Sequence, residues 1–297
     1  MAELGFDGRV AIITGAGGGL GRQHALSLAS RGALVVVNDL GGAVDGSGRD
    51  AGAAQLVVDE IAAAGGEAVA DTNSVATPEG GEAIVQTAID AFGRIDIVIN
   101  NAGILRDKTF HNMTPDLLDP VLDVHLKGAF NVTKPAWVHL REQRYGRVIS
   151  TSSAAGIFGN FGQTNYGAAK MGLVGLTRVL AVEGARHGIH ANAIAPLADT
   201  RMTEDILGAM AEQLDPAHVT PVVAYLAHES CEATGRVFSV GGGRVAEVFI
   251  GETNGYFARP LTAEAVAEHW STITDRNGYH VPMNLGEETA LFLPFFA

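Results

Sequence analysis

Short apolar runs alternate along this chain with longer stretches whose apolar residues have helical spacing. Unbroken runs such as residues 9–14, 34–39 and 95–100 are typical of strands buried on both faces of a sheet. Further strands are predicted at 67–70, 146–152, 190–195 and 236–240, and helices at 22–31, 53–64, 78–92, 117–140 and 166–184. Strands that alternate with helices predict an α/β protein with a Rossmann-like, doubly wound parallel sheet and helices on both faces.

Local composition adds three expectations to this pattern. Residues 41–52 are rich in Gly, Asp and Ser, which predicts an exposed loop. Pro135 lies inside the predicted helix 117–140, so we expect a kink there. The strand 236–240 is expected to close the sheet. Beyond it the pattern is irregular except for a capped helix at 262–270, so we predict a domain of residues 1–243 and an appendage of residues 244–297, packed on the domain or on a partner subunit.

Composition and charge exclude several classes of function. The net charge is −13 and no long basic tract occurs, which argues against a nucleic-acid partner. No apolar run is long enough to cross a bilayer, and the N-terminal residues lack the pattern of a signal peptide. Cys231 is the only cysteine, and the last residues do not match a peroxisomal Ser-Lys-Leu signal. We therefore expect a cytoplasmic protein without a membrane partner, and we predict no metal site.

A glycine cluster follows the first predicted strand. Gly15, Gly19 and Gly21 would let the backbone approach a phosphate closely, and the start of the next helix would add positive potential. Asp39 ends the second strand, where a carboxylate can accept hydrogen bonds from the adenosine ribose and repel a 2′-phosphate. This predicts NAD rather than NADP as the cofactor. Arg22 points weakly the other way, since its guanidinium could hold that phosphate or merely decorate the helix.

A second motif can move a proton. Tyr166 and Lys170 are four residues apart and share one face of the predicted helix. A phenol has a pKa of about 10 in water, and a neighbouring ammonium together with a positively charged nicotinamide would lower that pKa. Ser153 follows the fifth strand, where its hydroxyl could orient a substrate oxygen. Ser152 is the alternative, and either serine could instead bond its own backbone in a turn.

Taken together, these motifs resemble the short-chain dehydrogenase/reductase family. The matching elements are Thr14-Gly-x-x-x-Gly-x-Gly21, Asn100-Asn-Ala-Gly103, Ser153 and Tyr166-x-x-x-Lys170, and they place residues 1–243 as the NAD-binding domain. Finer matches, such as Asn101-Ala-Gly-Ile-Leu-Arg-Asp107 and Gly156-Ile-Phe-Gly-Asn-Phe-Gly-Gln163, resemble the (3R)-hydroxyacyl-CoA dehydrogenase domains of the multifunctional enzymes of peroxisomal β-oxidation. That subgroup also contains 17β-hydroxysteroid-oxidising members. The hydratase and sterol-carrier domains of the animal enzymes are not in this sequence, so we expect a stand-alone relative of bacterial type.

The resemblance implies a set of site residues. The catalytic set it implies is Ser153, Tyr166, Lys170 and His125. The cofactor-binding set it implies is Thr14, Gly15, Gly17, Gly19, Leu20, Gly21, Asp39, Ser74, Val75, Asn100, Asn101, Ala102, Gly103, Tyr166, Lys170, Pro196, Leu197, Ala198 and Thr200. Two departures stand out. His125 occupies the place where the family has an asparagine on a helix. It either takes that asparagine's part in a proton relay or is a buried helix histidine. Leu197 stands where the family has glycine after proline.

The resulting hypothesis is NAD-dependent oxidation of a secondary alcohol. The substrate that the resemblance implies is a (3R)-3-hydroxyacyl-CoA, oxidised to the 3-ketoacyl-CoA in fatty-acid or sterol side-chain β-oxidation. A 17β-hydroxysteroid is the alternative substrate, and Arg106, Lys108 and Lys127 are candidates for holding CoA phosphates. A non-catalytic nucleotide-sensing subunit is the alternative of another class, although binding alone has no need for the Ser-Tyr-Lys set. The resemblance also implies a homodimer or higher homo-oligomer.

Overall fold

The computed structural model describes residues 4–200, 202 and 212–296. Within these residues, eight strands form one sheet: β1 Val10–Thr14, β2 Leu34–Asn38, β3 Glu67–Asp71, β4 Ile97–Asn100, β5 Gly146–Thr151, β6 Ile189–Pro196, β7 Val237–Gly241 and β8 Arg244–Val248. The α-helices of the described residues are α1 Gly19–Ala29, α2 Gly52–Ala63, α3 Pro78–Phe92, α4 Pro115–Leu122, α5 Gly128–Gln143, α6 Ala154–Phe158, α7 Thr164–Gly184, α8 Thr220–Ala227, α9 Ala263–Glu268, α10 Trp270–Ile273 and α11 Leu285–Ala290.

The strand order is β3-β2-β1-β4-β5-β6-β7-β8, and every pair from β3 to β7 is parallel. The chain moves outward from β1 in one direction as far as β3, and then returns to the other side of β1 with β4. This reversal is the switch point of a doubly wound sheet, where ligands bind at the carboxyl ends of the strands. The predicted fold class is confirmed.

Both faces of the sheet are buried, which explains the unbroken apolar runs. In β1, Ala11 and Ile13 pack into one core cluster, while Val10 and Ile12 pack into a second cluster that also contains Val132. Successive side chains of a strand point to opposite faces, so a strand covered on both sides must be apolar at every position. Helices therefore cover both faces, and the polar ends of the strands remain as the place for chemistry.

The predicted helix 117–140 is interrupted before Pro135, and the kink at Pro135 itself stays a prediction. Helix α5 continues through Pro135, and the departure from α geometry comes earlier, in a π-helix at Asp123–Lys127 that joins α4 to α5. A π-turn adds one residue to the helical repeat and commonly lies at a functional site. The insertion changes which side chains the helix presents towards the carboxyl ends of the strands, and His125 lies within it.

The strand predicted to close the sheet does not do so. After β7, Gly242 and Gly243 both have positive φ angles, of 54° and 80°, and the chain turns into β8, which is the edge strand. A connection of two residues allows only an antiparallel neighbour. The prediction failed because β8 has exposed positions and lacks the unbroken apolar run of a central strand.

The contacts divide the chain into two compact units, Met1–Glu247 and Val248–Ala297. In the second unit, none of the described residues, 248–296, is fully buried. Stacked rings hold it together instead, including Tyr256 on His269 at 3.9 Å and Phe257 on Phe295 at 4.6 Å between ring centroids. Among the described residues of both units, we find no helix that is long and apolar enough to cross a membrane.

Candidate active site

A cavity of about 370 Å³ opens at the switch point, at the carboxyl ends of β1, β2 and β4. Ten of the predicted cofactor-binding residues line it: Gly15, Gly19, Leu20, Asp39, Ser74, Val75, Asn101, Ala102, Gly103 and Thr200. These residues come from five separate stretches of sequence, which the parallel sheet brings to one edge. The cavity is therefore where the family resemblance implied it would be.

The glycine turn after β1 is shaped for close approach. A Cβ atom on Gly15 would lie 2.8 Å from the Cα of Ala102, and one on Gly17 would lie 2.9 Å from the carboxyl carbon of Asp39. Gly19 has a φ of +50°, which favours glycine. Gly18 precedes α1 without a side-chain cap, and the first turn of α1 contains no acidic residue. Free N–H groups at a helix start are suited to bind a diphosphate, so this cradle fits a dinucleotide.

Asp39 connects the glycine turn to the loop that follows β2. Its Oδ2 accepts a hydrogen bond of 2.7 Å from the backbone N–H of Gly17, and its Oδ1 accepts one of 2.7 Å from Gly41. Each carboxylate oxygen can accept a second hydrogen bond, so the group retains capacity for ribose hydroxyls. The carboxylate thus both shapes the cavity and lines it.

The two asparagines after β4 have different environments. The side chain of Asn101 donates to the carbonyl oxygens of Thr14 (3.0 Å) and Gly15 (3.1 Å), which fixes the glycine turn, and it lines the cavity. Asn100 instead donates to Thr133 in α5 at 2.9 Å and is buried. Of these two predicted residues, the structure therefore brings Asn101, and not Asn100, to the cavity.

Several other predicted residues do not line this cavity in the part of the chain that the structure describes. These are Thr14, Gly17, Gly21, Asn100, Pro196, Leu197, Ala198 and the catalytic candidates. Thr14 has a supporting position, since its hydroxyl oxygen accepts hydrogen bonds from the backbone N–H groups of Asn101 and Ala102. The sequence missed some lining residues, among them Val44, Asn73 and Val124, because their spacing carries no motif.

Ser153 and Tyr166 meet at the carboxyl end of β5. Ser153 lies within reach of the phenol, since its hydroxyl acts to lower the pKa of Tyr166. The hydroxyl of Ser153 also accepts a hydrogen bond of 3.1 Å from the N–H of Ala155, which caps α6. Capping fixes the serine beside the phenol, so the turn role and the substrate-orienting role that the sequence left as alternatives are compatible.

Lys170 lies beneath Tyr166 with its Nζ 5.4 Å from the centre of the phenol ring. This Nζ donates a hydrogen bond of 2.6 Å to the carbonyl oxygen of Thr151, and the side chain is almost completely buried. Burial lowers the pKa of Lys170 to about 7. The ammonium is therefore only partly populated at neutral pH.

The expectation that Lys170 lowers the pKa of Tyr166 is wrong for the polypeptide alone. Burial raises the pKa of Tyr166 above its usual value, the hydrogen bond from Ser153 opposes this, and the carboxylate of Asp107 raises it further. The physical reason is that burial disfavours both charged forms, phenolate and ammonium, so the lysine does not supply a full charge.

Ser152 has another partner. It is buried, and its hydroxyl donates a hydrogen bond of 2.8 Å to the carbonyl oxygen of Lys170. Successive residues leave a strand on opposite sides. Ser152 therefore fastens the end of β5 to α7, while Ser153 reaches Tyr166.

His125 is buried within the π-helix and stands edge-on to Tyr166, with 5.2 Å between ring centroids. Its Nε2 lies 3.0 Å from the backbone nitrogen and 2.8 Å from the carbonyl oxygen of Ile104. Within the described residues its Nδ1 has no hydrogen-bond partner. Burial, together with the charge of Lys170, lowers the pKa of His125 well below its usual value. The imidazole is thus neutral at physiological pH and adjoins the catalytic candidates.

The cationic candidates have partners of their own. Lys127 forms an ion pair with Asp123 at 2.7 Å, and Arg22 pairs with Glu60 on α2 at 2.6 Å. Arg106 lines the cavity, but its guanidinium donates to the backbone carbonyls of Asp45 and Asp116. Of the three CoA candidates, Lys108 is the exposed one whose side chain carries no ion pair in the described part of the chain.

Comparisons with known proteins agree with this geometry. Residues 9–210 match the family described as short chain dehydrogenase. The chain is 54% identical over 276 residues to a putative short-chain type dehydrogenase/reductase of Mycobacterium tuberculosis, covering 92% of this chain and 96% of that protein. It is 50% identical over 293 residues to the mouse peroxisomal multifunctional enzyme type 2, covering 97% of this chain and 40% of the mouse protein. The chain thus spans less than half of that multifunctional relative.

Two further similarities extend this result. A hydroxyacyl-CoA dehydrogenase of Mycobacterium tuberculosis, ChsB1, is 40% identical over 263 residues, covering 82% of this chain and 80% of that protein. Among solved structures, the full-length peroxisomal multifunctional enzyme type 2 of Drosophila melanogaster superposes with a TM-score of 0.83 at 40% identity, covering 98% of this chain and 50% of that chain.

Proposed function

Because this chain belongs to the short-chain dehydrogenase family, and is thus an oxidoreductase that acts on CH–OH groups with a nicotinamide nucleotide, we propose that it oxidises a (3R)-3-hydroxyacyl-CoA to the 3-ketoacyl-CoA with NAD. The observation that carries this proposal is the placement of Ser153 beside Tyr166, above the buried Lys170. The names of two relatives, a multifunctional enzyme of peroxisomes and a hydroxyacyl-CoA dehydrogenase, support the substrate class.

The residues divide the chemistry among them. A bound nicotinamide nucleotide supplies the hydride acceptor. Tyr166 takes the proton of the substrate hydroxyl on its Oη, and the hydroxyl of Ser153 holds the substrate oxygen in place. Lys170, with a pKa of about 7, stabilises the phenolate whenever it is protonated.

His125 has a supporting role in this proposal. Its neutral ring packs against Tyr166 and holds the backbone of Ile104. The Nδ1 atom has no hydrogen-bond partner among the described residues, and the charge of Lys170 acts on this ring, which stands where the family has an asparagine. We propose that this atom takes the asparagine's part in relaying protons to Lys170. A His125→Asn variant that keeps at least a tenth of the wild-type kcat would support this assignment, whereas His125→Ala should lose far more.

The cofactor proposal is NAD. Asp39 presents a carboxylate to the cavity, and a 2′-phosphate there would meet like charge. The guanidinium of Arg22 is engaged with Glu60, which weakens the one feature that favoured NADP. Steady-state kcat/KM should be compared for the two nucleotides, and a tenfold preference for NADP would contradict the assignment.

The substrate test compares acyl and steroid alcohols. Purified protein with NAD should turn over (3R)-3-hydroxyacyl-CoA thioesters of several chain lengths faster than the (3S) epimers or 17β-estradiol. Turnover of the steroid without any acyl-CoA activity would favour the 17β-hydroxysteroid alternative. Tyr166→Phe should bind NAD as the wild type does but lose turnover by orders of magnitude, whereas a nucleotide-sensing subunit would show no turnover in either form.

We also propose a homo-oligomer in the cytoplasm. Large apolar side chains are exposed along α5 and α7, among them Phe130, Val138, Val179 and Val182. Large apolar side chains exposed on two helices favour burial against another subunit. The appendage 244–297, most of which lies in the second compact unit, also exposes many large apolar residues, and we propose that it packs on the domain or on a partner subunit. Sedimentation equilibrium of the wild type and of Val179→Lys tests the oligomer, and cell fractionation tests the location.

A further inference from the structure

Residues 104–108 lie between the nucleotide cavity and α7, the helix that carries Tyr166 and Lys170. Ile104 bonds His125, and the carbonyl oxygen of Arg106 accepts a hydrogen bond of 2.8 Å from the side chain of Asn165. Leu105 donates its N–H to the carbonyl oxygen of Val44 at 2.9 Å. This short segment therefore touches the loop after β2, the π-helix and the start of α7.

The guanidinium of Arg106 joins two parts of the chain that are distant in sequence. Its Nε donates to the carbonyl oxygen of Asp45 at 2.8 Å, and its Nη1 donates to the carbonyl oxygen of Asp116 in α4 at 2.7 Å. Both acceptors are backbone atoms, so the contact fixes the path of the chain rather than a single side chain. Two carbonyls held at once need the planar, forked donor set of arginine, which lysine lacks.

The loop that Arg106 holds, residues 41–48, forms one wall of the cavity. Its residues Gly42, Ala43, Val44 and Gly46 line the cavity next to Asp39, on the side where an adenosine ribose would lie. The loop is folded on itself by hydrogen bonds such as the one from Ala43 N–H to the Ser47 carbonyl at 2.8 Å. Its tip is fastened to the rest of the domain through Leu105 and Arg106.

The other end of this connection reaches Tyr166. Asn165 is fully buried, and its side-chain nitrogen donates to the carbonyls of both Arg106 and Leu117. Its side-chain oxygen accepts the backbone N–H of Tyr166 at 2.8 Å. The backbone that carries the Arg106 side chain is thus anchored to the residue that precedes the catalytic tyrosine.

We propose that Arg106 is a positioning residue for nucleotide binding. Its side chain holds loop 41–48 over the adenosine end of the cavity, and its backbone is anchored to α7 through Asn165. This inference rests on the proposed nucleotide site. A loop that is closed before the ligand arrives reduces the entropic cost of binding. If the loop opens, the apparent affinity falls in proportion to the fraction of molecules in which it is closed. Arg106 was a candidate for CoA phosphates, and its two backbone acceptors assign it to the loop instead.

Binding of ADP-ribose tests the clamp without reference to activity. Isothermal titration calorimetry should give a dissociation constant about tenfold weaker for Arg106→Met than for the wild type, as expected when hydrogen bonds of a charged donor are lost. Arg106→Lys should give an intermediate value. The kcat at saturating NAD should fall by less than about threefold, since the nucleotide, once bound, holds the loop closed.

A second variant separates the clamp from a general loss of stability. In a protein whose residues 43–48 are replaced by Gly-Gly, ADP-ribose should bind weakly already, and adding Arg106→Met should weaken it no further. The control is Arg49→Met, the same substitution at an exposed arginine just outside the loop. Arg49→Met should bind ADP-ribose as the wild type does.

Two results would overturn the proposal. The first is that Arg106→Met binds ADP-ribose within twofold of the wild-type affinity, or that it weakens binding equally in the wild-type and shortened-loop proteins. Either outcome would contradict the role of Arg106 in holding the loop and leave the dehydrogenase assignment intact. Absence of ADP-ribose binding by the wild type would overturn the nucleotide site and the clamp together.

Discussion

The hydroxyl of Ser152 donates a hydrogen bond of 2.8 Å to the carbonyl oxygen of Lys170, while the adjacent Ser153 lies beside the phenol of Tyr166. Two consecutive serines thus have separate duties at the end of one strand. One fixes the helix that carries the lysine and tyrosine, and the other lies beside the tyrosine.

The first prediction separates these two serines. Ser153→Ala should lower kcat by about a hundredfold or more, because the substrate oxygen loses an orienting hydrogen bond. Ser152→Ala should lower the free energy of unfolding by about 1 kcal/mol, because one buried hydrogen bond is lost, with a smaller effect on kcat. Steady-state kinetics and urea unfolding of both variants would check this, and the reverse assignment of the two effects would contradict it.

The second prediction concerns the pH dependence of stability. The pKa of Lys170 is lowered from 10.5 to about 7 in the folded protein, so between these values the unfolded chain binds more protons. Stability should therefore rise with pH from about 7 to 10.5, by at most about 1.4 kcal/mol per pH unit from this group. Below pH 7 Lys170 is protonated in both the folded and the unfolded state, so burial of its ammonium lowers the free energy of unfolding by a constant amount.

The measurement compares the wild type with Lys170→Met. The difference in free energy of unfolding between the two proteins should change by roughly 2–3 kcal/mol from pH 7 to pH 9, in favour of the wild type at high pH. Taking this difference removes the contribution of all other titrating groups. If the free energies of unfolding of the two proteins changed in parallel with pH, the lowered pKa of the buried Lys170 would be refuted.

The third prediction tests the packing of Gly103 against His125. A Cβ atom on Gly103 would collide with Cε1 of the imidazole, and this ring is held by the backbone of Ile104. Gly103→Ala should therefore displace His125 and cost about 1–3 kcal/mol of stability, with a loss of kcat. In a His125→Ala background the same change should cost little stability. An equal cost in both backgrounds would mean that the glycine is required for some other reason.

The fourth prediction concerns the opposite end of the sheet. Asp96 is fully buried, and it accepts hydrogen bonds from Arg9, Arg94 and the N–H of Val10. Removing it with Asp96→Ala would leave charged and polar groups without a partner, at a cost of about 3–5 kcal/mol. ADP-ribose affinity at a temperature where the variant is folded should stay unchanged, since the cavity lies at the other end of the strands.

Glu229→Gln provides the control for this network. Glu229 is 64% exposed, and its side chain pairs with Arg9 at 2.9 Å. An exposed pair of this kind contributes about 1 kcal/mol or less. Thermal unfolding should therefore distinguish the two variants clearly, and equal losses would contradict the difference in burial.

The sequence predicted the fold well where one periodicity was sufficient. The runs at 9–14, 34–39 and 95–100 contain β1, β2 and β4 because a strand covered on both faces must be apolar throughout. The sequence predicted the fold less well where the local preference of a residue competes with tertiary packing. Pro135 predicts a kink but gives no sign of the irregular turn that lies earlier, at Asp123–Lys127.

The order of strands and helices, the glycine turn after β1 and the Tyr166–Lys170 spacing could be read from the sequence, because each depends on residues close together in the chain. The division of duties between Ser152 and Ser153, the neutral His125 against Tyr166 and the hold of Arg106 on loop 41–48 were decided by the tertiary structure alone. These relationships join residues that are tens of positions apart, and burial, which sets their hydrogen bonds and pKa values, exists only once the sheet and its helices have packed.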